Sequence, residues 1–441
     1  MNKLRLAAAL FFLLCSPAEA KLFDIDEFYL DNGLRVLVIP NHKAPIVKHM
    51  VWYNAGSMDE QPGKGGAAHL LEHLMFRGTE EIPGNRLNEI LEQNGAESNA
   101  FTAQDFTAYH QLLDISRLEL AMYLEADRMQ NLQILPEHFA LERDIVFQER
   151  QQVVENNPAA YFNEAVRRVL WQDHPYGRPI TGMPEEISGL RQEDAEDFYR
   201  RYYAPANAVL VLSGDIDGST ARQLATKYYG KVKARPSGER KKFPELKKDF
   251  KSRVEMKLPG IAAPRLSLNF AVASAGTNKD DIYKLAVLAK YLGGGEVSAL
   301  YKDLVLKQKT ALAVSAVYDE ASRSYGTFSI NAVPAAGVSA QQLEEQLRRA
   351  IAEAVKNFDE SKLEKIKRRM RAGLVYLQDN PADAAYIAGS LATVGLSKAE
   401  IENYDAGIEK VTVGGVKAAA AEMLQHAPQV TGILEPLGGR K

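Results

Sequence analysis

Hydrophobic and polar positions along this 441-residue chain follow two periods, and the places where the period changes predict its elements. Apolar runs at 26–30 and 34–39 flank Asp31-Asn32-Gly33, which is hairpin chemistry, and 46–53 reads as a third strand. A helical period follows over 67–76, and 85–93 is an amphipathic helix closed by Asn94-Gly95. Residues 97–113 return to a β pattern, with Phe101, Phe106, Thr107 and Tyr109. Pro136 opens a helix over 137–154 that Asn156-Asn157-Pro158 ends. Helices over 191–203 and 219–229 enclose a buried strand at 208–212 that stops at Gly214. Residues 231–251 then carry Lys, Arg, Pro and Gly with few apolar residues, the composition of a solvated connector. Beyond it the plan repeats loosely. Strands are predicted at 266–273, 313–317 and 326–333, and helices at 280–292, 297–306, 339–358 and 361–378.

The helix over 67–76 separates packing from chemistry. Ala67, Leu70, Leu71, Leu74 and Met75 share one arc, and His69, Glu72, His73 and Phe76 the opposite one. Imidazoles at i and i+4 stand one turn apart and can converge on one divalent ion, with a carboxylate between them. This is the order His-x-x-Glu-His, that of the inverted zincins. The preceding Gly63-Lys64-Gly65-Gly66 lacks the spacing and the Gly-Lys-Ser/Thr ending of a phosphate loop, so it reads as a flexible lead-in to the helix.

A catalytic zinc takes three protein ligands and leaves a position for water, so two histidines need a third partner. On the 137–154 helix, His138, Glu142, Ile145, Val146, Glu149 and Val153 share one arc, which places two carboxylates in an otherwise apolar stripe. A carboxylate facing a core is expensive unless paired or bound to a metal, so the stripe calls for a cation. Seven residues of helix separate the two carboxylates by about 10 Å, so one binds the ion and the other supports it. His138 is a rival ligand on the same arc. His110 reads as a packed strand residue, and His42, His49, His174 and His426 as surface or core residues.

Charge and the N-terminus narrow the function classes. Lys3 and Arg5, the apolar run 6–14 and the small residues of Ala18-Glu19-Ala20 form a secretory signal peptide over 1–20. No later run reaches the 18 or so apolar residues of a membrane span. Cys15, the only cysteine, lies inside that segment, so the mature chain has no disulfide and depends on its core. Without Lys3, Arg5 and Glu19, 52 basic residues face 56 acidic ones, a net of about −4. That balance shows no basic surplus for nucleic acid or anionic lipid.

Several segments together resemble the pitrilysin-type M16 metallopeptidases. They are His69-x-x-Glu72-His73, the segment Glu142-Arg143-Asp144-Ile145-Val146-Phe147-Gln148-Glu149, Asn99-Ala100-Phe101-Thr102, and 174–180. Glu149 lies 76 residues after His73, the family's spacing for its zinc-binding glutamate. The resemblance implies an α+β fold of two related domains, each a mainly antiparallel sheet with helices packed on one face, here 21–230 and 252–441 joined by 231–251. It implies that His69, His73 and Glu149 bind Zn2+, that Glu72 is the general base, and that Glu142 orients the ligands or assists catalysis. It further implies that Asn99, Ala100 and Phe101 lie on an exposed edge strand along which an extended substrate pairs. From the residues alone, an ordinary inner strand is the alternative for the same stretch.

One departure from the family pattern is expected to matter. Active two-domain members carry an Arg and, seven residues later, a Tyr in the second domain, where this chain has Val305 and Leu312. Either Tyr301 or Tyr318 supplies the missing group, or a related partner subunit supplies both, making a heterodimer. Two rival functions stay open, a structural subunit without catalysis and a peptide-binding protein that does not cut.

Overall fold

A computed structural model describes residues 21–236, 238 and 245–437. The expected signal peptide at 1–20 lies outside the described residues, as do 237 and 239–244 of the expected connector.

The first half forms a six-stranded mixed sheet. Its strands are β1 (Asp26–Tyr29), β2 (Arg35–Pro40), β3 (Ile46–Tyr53), β4 (Glu97–Thr102), β5 (Thr107–Asp114) and β6 (Ala208–Gly214), in the order β1-β2-β6-β3-β5-β4. Every residue of β6 is buried, which fits its unbroken apolar run and its place between β2 and β3. Eight helices accompany this sheet: α1 (Ala67–Leu74), α2 (Arg86–Gln93), α3 (Leu118–Asn131), α4 (Pro136–Arg150), α5 (Pro158–Trp171), α6 (Pro184–Gly189), α7 (Gln192–Tyr202) and α8 (Gly218–Tyr228).

The second half contains β7 (Lys251–Leu258), β8 (Arg265–Val272), β9 (Ala311–Asp319), β10 (Gly326–Pro334) and β11 (Gln429–Pro436), in the order β7-β11-β8-β10-β9. Its helices are α9 (Lys279–Gly293), α10 (Ala340–Lys356), α11 (Glu360–Asp379), α12 (Pro381–Thr393), α13 (Lys398–Glu402), α14 (Tyr404–Glu409) and α15 (Val413–Gln425). Strand for strand, β7-β11-β8-β10-β9 repeats β2-β6-β3-β5-β4, including one parallel pair in each sheet (β2 with β6, β7 with β11). The loose repetition in the sequence is therefore a true duplication of topology, and β1 is the one addition.

The halves exchange helices. The first half's α5 packs on β11, β7 and β8, and the second half's α12 packs on β6, β3 and β2. Each sheet thus has its own helices on one face and a helix from the other half against the opposite face. One apolar core accordingly contains Trp52, Met50 and Val211 together with Ala384, Ala388 and Leu391. Gly389 lies flat on the Trp52 indole, where an added Cβ would fall 2.2 Å from the ring.

Several boundaries differ from the pattern-based expectation. The strand β7 begins at Lys251, the last residue of the expected connector, whose first residues Lys231, Lys233, Ala234 and Pro236 are exposed while two of their neighbours are anchored. Val232 is buried, and Arg235 donates to the Met129 and Tyr203 carbonyls. On α4 the buried side is Phe139, Glu142, Val146 and Arg150, whereas Ile145 and Val153 are exposed, so the stripe is rotated from the one drawn on the sequence. The helix also widens to π geometry at Gln151–Glu155, which an ideal period cannot anticipate.

Candidate metal centre

The site is built on α1, whose lead-in is clamped rather than flexible. Gly66 adopts φ of 90°, a left-handed conformation that glycine accepts readily, and a Cβ there would meet the Thr181 carbonyl. The buried Glu60 carboxylate accepts from the Gly66 N–H at 3.0 Å and the Ala68 N–H at 2.9 Å, which satisfies two of the orphan donors at the start of α1. The arc of Ala67, Leu70, Leu71, Leu74 and Met75 is buried as its pattern predicts. That seating turns His69, Glu72 and His73 together toward α4 and β4.

The structure brings His69, His73 and Glu149 to one point, where one ligand atom from each lies within 4.8 Å of the others. Glu149 Oε2 is 3.5 Å from His73 Nε2 and 3.8 Å from His69 Nε2. Glu142 sits behind His73, its Oε2 accepting from Nδ1 at 2.9 Å, while its other oxygen takes Arg77. Arg77 in turn donates to Asn85 at 2.8 Å. Once His73 gives up its Nε2 proton, the proton kept on Nδ1 by Glu142 leaves the Nε2 lone pair facing Glu149. Glu142 is therefore no ligand in this arrangement. Nor does His138 belong to the cluster, being half-buried elsewhere on α4.

Electrostatics divide the two histidines. Burial, then the neighbouring His73, pulls His69 down to about 4, so its ring is neutral. Burial also opposes a charge on His73, but hydrogen bonds to Glu142 and Glu149 outweigh it and raise His73 to about 9. The carboxylates that hold a proton there stabilise any cation placed among them. Two imidazole nitrogens and one carboxylate oxygen, one ring fixed by an outer carboxylate, form a donor set that fits zinc.

Glu72 is directed toward β4, where Thr102 Oγ1 donates to its Oε2 at 2.5 Å. Burial raises its pKa, and the threonine works against the rise. Among the described residues β4 pairs only with β5, so it is an edge strand rather than an inner one. Asn99, Ala100 and Phe101 stand on it opposite His110, Tyr109 and Ala108.

The second-half positions contribute nothing to this cluster. Leu312 is 63% exposed, and Val305 packs against the shared core. Tyr318 donates its hydroxyl to the Ala273 carbonyl at 2.6 Å, and Tyr301 packs against the same core. Sequence reading missed Glu60, Arg77 and the contact of Thr102 with Glu72. Arg77 was within reach of it, because it stands at i+4 from His73 on the same arc.

Comparison with known proteins agrees with the geometry. Residues 35–183 match the family described as Insulinase (Peptidase family M16), and residues 189–370 match the Peptidase M16 inactive domain. The chain is 27% identical over 377 residues to the zinc protease PqqE of Helicobacter pylori, covering 83% of each. A solved protease structure from Helicobacter pylori superposes with a TM-score of 0.85 at 24% identity, over 94% of this chain and all of that one. The first half of the periplasmic protease PqqL from Escherichia coli gives a TM-score of 0.78 at 18% identity, over 93% and 92% of the two chains. In fold, in the order of its halves and in its relatives, the chain belongs to the M16 peptidase family.

Proposed function

We propose that this chain is a secreted zinc-dependent endopeptidase that hydrolyses peptides or unfolded polypeptides bound as an extended strand. The observation that carries this reading is the convergence of His69, His73 and Glu149 with a fourth carboxylate, Glu72, beside them. Zinc held there supplies Lewis acidity toward a water and the scissile carbonyl. Glu72 takes the proton of the attacking water on a carboxylate oxygen and delivers it to the leaving amine. Its raised pKa suits both transfers, because a carboxyl closer to neutrality holds the proton long enough to pass it on. Glu142 keeps the His73 ring in one tautomer and orientation. The β4 edge offers main-chain donors and acceptors to a substrate strand, which gives affinity with little dependence on side chains.

Secretion rests on the signal-peptide pattern of 1–20, and a Gram-negative host would place the mature chain in the periplasm, as the PqqL structure is described for its own protein. No helix of the described residues is long and apolar enough to cross a membrane. With Val305 and Leu312 where the family has Arg and Tyr, a related subunit is proposed to complete the substrate clamp. The match of 189–370 to an inactive domain favours a division of labour along the chain, because all four chemical residues lie before that stretch. A wholly non-catalytic subunit is the second reading.

The deciding experiment combines metal analysis with peptide cleavage. Glu72→Gln is expected to retain zinc and lose turnover, and Glu149→Gln to lose zinc affinity. Normal turnover by Glu72→Gln would falsify the base assignment. Gain of activity on mixing with an Arg/Tyr-bearing homologue tests the partner; full activity alone, with no gain, removes it.

A further inference from the structure

A cavity of about 1030 Å3 opens where the two halves meet, and β4 forms part of its wall. Successive residues of that strand face opposite ways. Thr102 reaches Glu72, whereas Phe101 lines the cavity, where it packs edge-on against Trp52 with ring centres 5.5 Å apart. A polypeptide added alongside β4 alternates in the same way. Side chains on the Thr102 face approach the metal centre, and every second one, on the Phe101 face, enters the cavity.

The cavity has apolar sides and an acidic end. Phe101, Phe106, Val317, Leu374, Tyr386 and Ile387 supply the sides. Asp319 and Glu320, at the end of β9, supply the acids. Glu320 accepts from the Tyr404 hydroxyl at 2.9 Å, and among the described residues no lysine or arginine forms an ion pair with either carboxylate. Lys290 borders the same cavity but is exposed, and Arg167 acts on Asp319 only from beyond ion-pair distance. Asp105 also borders it, with one oxygen already taken by Tyr176 and the Arg323 N–H. Burial raises the pKa of the half-buried Glu320, as expected of a carboxylate lacking a close cation, and Asp319 shifts the same way although its side chain is exposed.

We propose that this cavity is a specificity subsite for the cleaved chain, accepting a side chain with a long apolar stem and a cationic head, lysine or arginine. The stem lies along the aromatic and aliphatic walls while the head reaches the two carboxylates. Tyr386 adds an aromatic ring to the lining, a group that attracts cations. A neutral residue of the same length fills the walls but leaves the carboxylates without a partner. The proposal rests on the peptidase reading for its substrate, and its test separates the two.

Peptides that differ at a single position, carrying arginine, lysine, citrulline or norleucine in turn, are assayed with zinc-loaded wild type and with the Asp319→Asn/Glu320→Gln double variant. Binding of the same peptides to Glu72→Gln is followed by fluorescence anisotropy. At one position, arginine and lysine are expected to exceed citrulline and norleucine about tenfold in kcat/KM, chiefly through KM, and about tenfold in affinity for Glu72→Gln. In the double variant the preference falls to within about twofold while the norleucine peptide is cut as before. The Glu320→Gln change keeps an acceptor for Tyr404, and Asp319→Asn alone serves if the pair does not fold. No cationic preference at any position, or one that survives neutralisation of both acids, overturns the subsite. Absence of cleavage with the binding preference intact overturns the peptidase reading and leaves the subsite standing.

Discussion

Glu142 offers the sharpest test of how the metal centre is organised, because it is almost fully buried and both its oxygens are engaged. One holds His73 Nδ1 at 2.9 Å and the other takes Arg77. Glu142→Gln retains an acceptor for the imidazole but removes the charge. A hydrogen bond to a charged group is worth roughly 1.5–3 kcal/mol against about 1 for a neutral one, so the change costs about 1–2 kcal/mol at His73. If that loss is felt at Nε2, zinc affinity falls about tenfold for Gln and up to about a hundredfold for Ala, the range found when outer partners of metal histidines are removed. Competition titration against a chromophoric chelator at fixed pH measures this directly. Thermal unfolding of zinc-loaded and zinc-free protein then separates lost affinity from lost stability, which is also expected because Arg77 keeps only Asn85. Wild-type zinc affinity in both Glu142→Gln and Glu142→Ala, alongside a weakened Glu149→Gln, would refute the supporting role.

Three further outcomes follow from the same geometry. Thr102→Val removes the donor that lowers the Glu72 pKa, so the acidic limb of the pH–rate profile is expected to move to higher pH; a shift toward lower pH would contradict the contact. Gly389→Ala places a methyl against the Trp52 indole and is expected to cost about 1–3 kcal/mol by overpacking, read as a lower urea midpoint, and an unchanged midpoint would mean that α12 yields. Burial holds His49, His110 and His174 below their ordinary value, the last two at about 4. Groups kept neutral on folding contribute stability above an unfolded value of about 6.5 and lose it as pH falls toward about 4. The urea midpoint should therefore drop between pH 7 and pH 5, and a rise would contradict these environments.

Much of the site could be read from the chain because it depends on local periodicity. His69, Glu72 and His73 share an arc through the 3.6-residue repeat alone, and the buried arc of α1 follows from the same count. The strand at Ile46–Tyr53 and the hairpin before it needed only alternation and turn chemistry. Glu149 was reached through its family spacing, since the helical wheel by itself left Glu142 and Glu149 equivalent.

Distant partners were not legible in this way. The Glu60 clamp and the Thr102 contact join segments whose relation is set by packing, so no local pattern announces them. The helix α12 was missed for a related reason. Rich in small residues and buried on most sides, α12 shows little contrast between faces, because its partner is the other half's sheet and not solvent.

By itself, then, the sequence determined which residues can do chemistry and which local element carries each one, since backbone periodicity and turn chemistry act over a few residues. The tertiary structure decided which carboxylate stands with His69 and His73 and which lies behind them, that β4 is an edge, and that the halves exchange helices around a shared cavity. Those outcomes depend on how separate elements bury their apolar faces against one another, an energy that belongs to the assembled fold and to no single segment.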